Sequence, residues 1–189
     1  MAVLVQEGNL ALRTMEETEA DLGLFLQWMT DPQTMKYWDG MTEIFDYDRV
    51  CRHYREHMEE GVTPCFIVLD GEAIGYLQFC EIPDAEANDL PPEEYSRFVR
   101  EDEKVFGIDL FIGRADLRGK GIGTRLLKMT CRLLFEQYGA DHITIDPKSH
   151  NARAIRCYEK VGFQHYFVAP QRELQDGVYY DSCIMGLKK

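Results

Sequence analysis

Apolar residues recur three and four positions apart over residues 16–29, at Leu22, Phe25, Leu26 and Met29. They do so again over 46–59, where Val50, Tyr54 and Met58 stand four apart. Such spacing puts one apolar stripe on a helix, so this region reads as two amphipathic helices behind a short strand at 10–13. The period then changes. The runs 66–69 and 74–79 flank Asp70-Gly71, a dipeptide that accepts the positive φ of a tight turn, and predict a β-hairpin. A third strand-like run covers 105–113. It is followed by a helical pattern from Ile122 to about Tyr138, a β-branched strand at 142–147 closed by a proline turn, and a helix that Gly162 ends. Segments 164–168 and 179–187 would close the sheet. The order β-α-α-β-β-β-α-β-α-β-β predicts an α/β (α+β) protein, a mixed sheet with helices on both faces. With no repeat or linker, residues 1–189 read as a single domain, and that length buries about 70% of the unfolded chain's surface.

Charge changes this picture more than bulk composition does. The formal net charge of −12 argues against a nucleic-acid partner, whose phosphates demand basic patches, and is compatible with a cationic substrate. Glu81, Asp84, Glu86, Asp89, Glu93, Glu94, Glu101, Asp102 and Glu103 crowd between two strand patterns. Two readings fit: a solvated acidic loop, or an electrostatic funnel for a polyamine. No apolar run approaches the length of a membrane span, and Met1 to Glu7 lack the pattern of a signal peptide, so a cytoplasmic protein without membrane partners is expected. The six cysteines form no Cys-x-x-Cys pair and have no histidine at metal-ligand spacing; packed thiols are expected, and no metal. The oligomeric expectation is a monomer or homodimer.

Between the 105–113 strand and the next helix lies Arg118-Gly119-Lys120-Gly121-Ile122-Gly123-Thr124. A glycine-rich turn that opens a helix points main-chain N–H groups at one spot, and the helix dipole adds positive potential there. Such a spot binds phosphate. The order is neither that of a nucleotide-hydrolase loop, Gly-x-x-x-x-Gly-Lys-Ser/Thr, nor the dinucleotide fingerprint Gly-x-Gly-x-x-Gly. It resembles the pyrophosphate loop of the GNAT superfamily of acyl-coenzyme A transferases, Arg/Gln-x-x-Gly-x-Gly/Ala. A second block, Asn151-Ala152-Arg153-Ala154-Ile155-Arg156-Cys157-Tyr158-Glu159-Lys160-Val161-Gly162-Phe163, is similar to that superfamily's Asn-x-x-Ala-x-x-x-Tyr-x-x-x-Gly-Phe motif. Two motifs in this order, about 30 residues apart, form a specific signal.

The resemblance extends further, to the aminoglycoside 6′-N-acetyltransferases. The stretches that carry it include Gly107-Ile108-Asp109-Leu110-Phe111-Ile112-Gly113, Asp146-Pro147, Leu26-Gln27-Trp28-Met29-Thr30-Asp31, Tyr37-Trp38-Asp39-Gly40 and Ile74-Gly75-Tyr76-Leu77-Gln78. It implies a GNAT fold with a mostly antiparallel sheet and acetyl-coenzyme A as cofactor. The cofactor contacts it implies are Phe111, Ile112, Arg118, Gly119, Lys120, Gly121, Ile122, Gly123, Thr124, Asn151 and Ala154. It makes Asp109 the base or amine anchor and Tyr158 the general acid to sulfur. Trp38, Gln78 and Asp146 would line the antibiotic site, with Asp181 a further acid. The implied reaction is acetyl transfer to the 6′-amino group of aminoglycosides, conferring resistance.

The residues by themselves leave other readings open. Asp109 sits between Ile108 and Leu110, where an acid needs a partner or a wet cleft, so it is either an ion-paired sheet residue or the group that takes the ammonium proton. Tyr158 fits half-buried packing as well as catalysis. Asp146 could simply cap its turn, and Trp38 could anchor its loop. Another acceptor amine, of a hydroxylysine-type siderophore precursor or a peptide, would use the same glycine turn, and a non-catalytic acyl-coenzyme A sensor would keep it too.

Overall fold

The computed structural model describes residues 2–38, 40 and 42–189. Met1, which begins the 1–7 stretch, and Asp39, in the aromatic loop 37–40, lie outside the described residues. One eight-stranded sheet runs β1 (Val3–Glu7), β2 (Leu10–Thr14), β3 (Thr63–Leu69), β4 (Glu72–Glu81), β5 (Val105–Ile112), β6 (His142–Ile145), β8 (Val178–Lys188), β7 (Gln164–Gln175). Among the described residues every pairing is antiparallel except β5 with β6.

Alternation along the strands sorts the core onto two faces. Phe66 and Tyr76 are register partners and pack toward α1 (Glu19–Met29) and α3 (Tyr47–Glu59), with Leu22, Phe25, Trp28, Met29 and Val50. Their neighbours Cys65, Ile67 and Leu77 face the other way. They meet Leu126, Leu127, Met129 and Leu134 of α5 (Ile122–Gln137), while Tyr158 of α6 (Ala152–Val161) joins the same cluster. Helices thus cover both faces, as the pattern predicts.

Local chemistry sets the helix ends. The Thr18 hydroxyl accepts from the Asp21 amide, so α1 starts at Glu19 rather than at residue 16. Asn151 accepts from the Ala154 amide and starts α6, and Gly162, at φ +116, stops it.

Three parts differ from the sequence reading. β1 is a half-exposed edge strand with too little alternation to show itself, and two single-turn helices, α2 (Pro32–Met35) and α4 (Pro92–Tyr95), lie where loops were expected. β7 continues past residue 168 to Gln175, across Pro170, a bulge and a positive φ at Gln171, which together erase the period-two pattern. The acidic segment is no free solvated loop: Leu90, Tyr95, Phe98 and Val99 bury against Val105, Ala169 and Ile184, and Glu103 is tucked in beside Lys188 while most of the other acids stay exposed.

One break in the sheet positions the site. β5 and β6 are paired only from Val105↔His142 to Gly107↔Thr144, whereas β5 stays paired with β4 as far as Ile112. Past Gly107 the two parallel strands part, and the gap is the mouth of a cleft.

Candidate active site

The cleft has a volume of about 580 Å³ and takes its walls from the glycine turn, α6, the free end of β5, the aromatic loop and β7. Gly119 and Gly121 adopt φ +76 and +80, a region that costs other residues about 1–2 kcal/mol, and among the described residues no heavy atom beyond the adjoining chain lies within 4 Å of where their Cβ atoms would be. Gly121 is the N-cap of α5, and no side chain caps the amides of that first turn. An open glycine cradle with uncapped amides at a helix start fits a diphosphate. Arg153, Arg156 and Lys160 of α6 line the same cleft, three and four residues apart on one helix face, so the fit extends to a polyanion such as coenzyme A.

Across the cleft the charge reverses. Asp109 lies directly opposite Gln78 in the β4–β5 register, and Gln78 Nε2 donates to its Oδ2 at 3.1 Å. The Tyr76 hydroxyl donates to Gln78 Oε1 at 2.9 Å, which fixes the amide's orientation. The Asp109 carboxyl is open to the water of the cleft yet walled by protein elsewhere, and the wall governs its proton. Desolvation first, then the charges of Asp146 and Glu173, raise it to about 7 against the pull of Gln78 and Arg172. Tyr158 is 8% exposed and lines the cleft. Burial, then Cys157, Asp109 and Asp146, push its phenol up, so the hydroxyl keeps its proton.

The other expected residues divide. Trp38 lines the cleft with its ring edge-on to Phe111 and Tyr76, at 5.0 and 6.0 Å between centroids. Phe111, Ile112, Gly123, Thr124, Asn151 and Ala154 line it as well. Arg118 lines it too, but its guanidinium is already engaged: Nε donates to the Ile112 carbonyl at 2.7 Å and Nη2 to Thr34 Oγ1 at 3.3 Å, tying α2 to the end of β5. Lys120 and Ile122 belong to the turn without lining the cleft, Lys120 exposed and Ile122 packed in the core. Asp181 is not brought in either; its carboxylate accepts from the Gln171 amide at 2.8 Å, bracing the β7 bulge. Asp146 lines the cleft but is ion-paired with Arg172.

Sequence reading missed Arg172, Glu173, Lys148 and, as a cleft residue, Asp89. Arg172 donates to Asp146 and to the Asn88 carbonyl, fastening the acidic segment at the cleft. Of the nine acids in that segment only Asp89 lines the cleft, while Glu94 pairs with Arg97, Glu81 with Lys104 and Glu103 with Lys188. The funnel reading therefore narrows to one residue. Arg153 and Arg156 were legible in principle, because their helical spacing stands inside the second motif; the partners from β7 carry no local signal.

A family model described as an acetyltransferase (GNAT) domain matches residues 17–174. The chain is 34% identical over 158 residues to an aminoglycoside N(6′)-acetyltransferase type 1 from Klebsiella pneumoniae, covering 82% of this chain and 74% of that protein. It superposes with TM-score 0.73 and 28% identity on the aminoglycoside acetyltransferase AAC(6′)-Ib in complex with coenzyme A and kanamycin, over 95% of each chain. A spermidine N-acetyltransferase from Vibrio cholerae, 18% identical over 96% of each chain with TM-score 0.75, shares the fold.

Proposed function

The chain belongs to the GNAT family of acetyl-coenzyme A-dependent N-acetyltransferases, and we propose that its acceptor is the 6′-amino group of an aminoglycoside antibiotic. One observation carries the reading: a single cleft is basic where the glycine turn opens α5 and, on balance, acidic at the other end, where Asp109, Asp146, Glu173 and Asp89 outnumber Arg172 and Lys148. A polyanionic donor and a polycationic acceptor need that division. The relatives named for aminoglycosides and the bound kanamycin of AAC(6′)-Ib point to the same acceptor class.

Acetyl-coenzyme A, when bound, supplies the activated acetyl thioester. The amides of the glycine turn and the basic face of α6 would hold its phosphates. Asp109 holds the acceptor ammonium and takes its proton. A carboxyl near 7 is a far better base at neutral pH than an ordinary one near 4, while still attracting the cation when ionised. Gln78, held by Tyr76, keeps the carboxyl turned toward the cleft. The Tyr158 hydroxyl holds the proton that the departing thiolate needs, and burial keeps that proton in place until transfer. Trp38 offers an aromatic wall to the sugar rings and their ammonium groups.

The test is thiol release from acetyl-coenzyme A with kanamycin-type aminoglycosides, polyamines, lysine derivatives and short peptides, with NMR of the product to place the acetyl group. Turnover confined to aminoglycosides, with the 6′-nitrogen acetylated, is expected. Turnover on peptides or polyamines without aminoglycosides would overturn the assignment.

A further inference from the structure

Lys148, in the turn after β6, is only 6% exposed, an expensive position for an ammonium group. It is held from one side by the β7–β8 hairpin. Its Nζ lies 2.9 Å from Glu173 Oε2, and Glu173 Oε1 accepts from the buried Ser182 hydroxyl at 2.6 Å. On the other side Nζ donates at 2.8 Å to the main-chain carbonyl of Trp38, 110 residues away in sequence. The hairpin tip grips the same loop on either flank. Gln175 Nε2 donates to the Lys36 carbonyl at 3.0 Å, and Asp176 Oδ1 accepts from the Thr42 amide at 2.7 Å. Gly40 approaches so closely that a Cβ there would stand 2.4 Å from Gln175 Cγ. Lys148 is the anchor that meets Trp38 itself, and both residues line the cleft.

We propose that Lys148 is a positioning residue, which, backed by Glu173, sets the orientation of Trp38 and thereby the affinity for the acceptor. The affinity half rests on the aminoglycoside reading above; the orientation half does not. Lys148→Met removes a charge-assisted hydrogen bond from the loop, so KM for the aminoglycoside should rise about tenfold, with kcat and KM for acetyl-coenzyme A changed less than about threefold. Trp38→Ala should raise the same KM, and the double variant should add little to it, because Lys148 acts through Trp38.

A substrate-free readout separates the two halves. The chain has two tryptophans, so 5-fluorotryptophan labelling gives two ¹⁹F resonances, assigned with Trp38→Phe. Lys148→Met should shift or broaden the Trp38 resonance and leave that of Trp28. Lys148→Met/Glu173→Gln, which removes both charges, repeats the measurement should the single variant fold poorly. An unmoved Trp38 resonance overturns the proposal, as does an equal loss in both KM values and kcat. A moved resonance in a protein that acetylates no aminoglycoside leaves the positioning role standing and defeats the acceptor assignment instead.

Discussion

The raised carboxyl of Asp109 makes a prediction with a magnitude. With a pKa of about 7, roughly 9% of Asp109 is ionised at pH 6 and roughly 91% at pH 8. If the ionised form is the base, kcat/KM falls about tenfold from pH 8 to pH 6, whereas an ordinary carboxylate would be ionised above roughly 98% at both and give a flat profile. Asp109→Asn should lower kcat by about 10²–10⁴ and leave KM for acetyl-coenzyme A near its starting value. It also supplies the control, since any slope that persists in the Asn variant belongs to the acceptor amine. Stability should move the opposite way. The folded protein holds a proton on Asp109 between about pH 4 and 7 that the unfolded chain, with an aspartate near 3.9, has lost, so this group's contribution declines as pH rises through that window. The melting temperature of Asp109→Asn relative to the parent should therefore climb from pH 4 to 7 and level off above. A parent profile no steeper than that of Asp109→Asn, or equal losses in turnover and cofactor affinity, would refute the assignment and leave Asp109 a structural residue.

Other expectations come from neighbouring contacts. Asp146 raises the Asp109 pKa and Arg172 lowers it, so the acid limb of the rate profile should move to lower pH in Asp146→Asn and to higher pH in Arg172→Ala. Gly121→Val puts a β-branched side chain at φ +80 and fills the open cradle; isothermal titration should show coenzyme A binding lost while amine binding stays measurable. Away from the cleft, Arg13 grips Asp21 through both terminal nitrogens at 2.7 and 2.8 Å, with the side chains only 11% and 8% exposed. Asp21→Ala strands that guanidinium at a cost of about 3–5 kcal/mol, which calorimetry should record as a melting point lower by on the order of 10 °C.

What the amino-acid sequence determined by itself is local chemistry. Glycines at 119 and 121 answer a demand for positive φ, Asn151 starts a helix through its side chain and Gly162 stops it through a positive φ, and Asp70-Gly71 turns a hairpin. Apolar periods of two and 3.6 were enough to place most of the elements and their buried faces. Each of these signals spans a few residues, and therefore survives in one dimension. The tertiary structure alone decided how the acids are used. Asp146 and Asp181 look alike on paper, yet one meets Arg172 in the cleft and the other braces a bulge on β7. Lys148 meets Trp38, and Arg172 meets Asn88, only because a sheet in which β8 lies between β6 and β7 carries the hairpin across the cleft wall. Nor is the parting of β5 from β6 after Gly107 written in either strand. It follows from which neighbours each keeps, and it gives Asp109 both access to water and enough surrounding protein to raise its pKa.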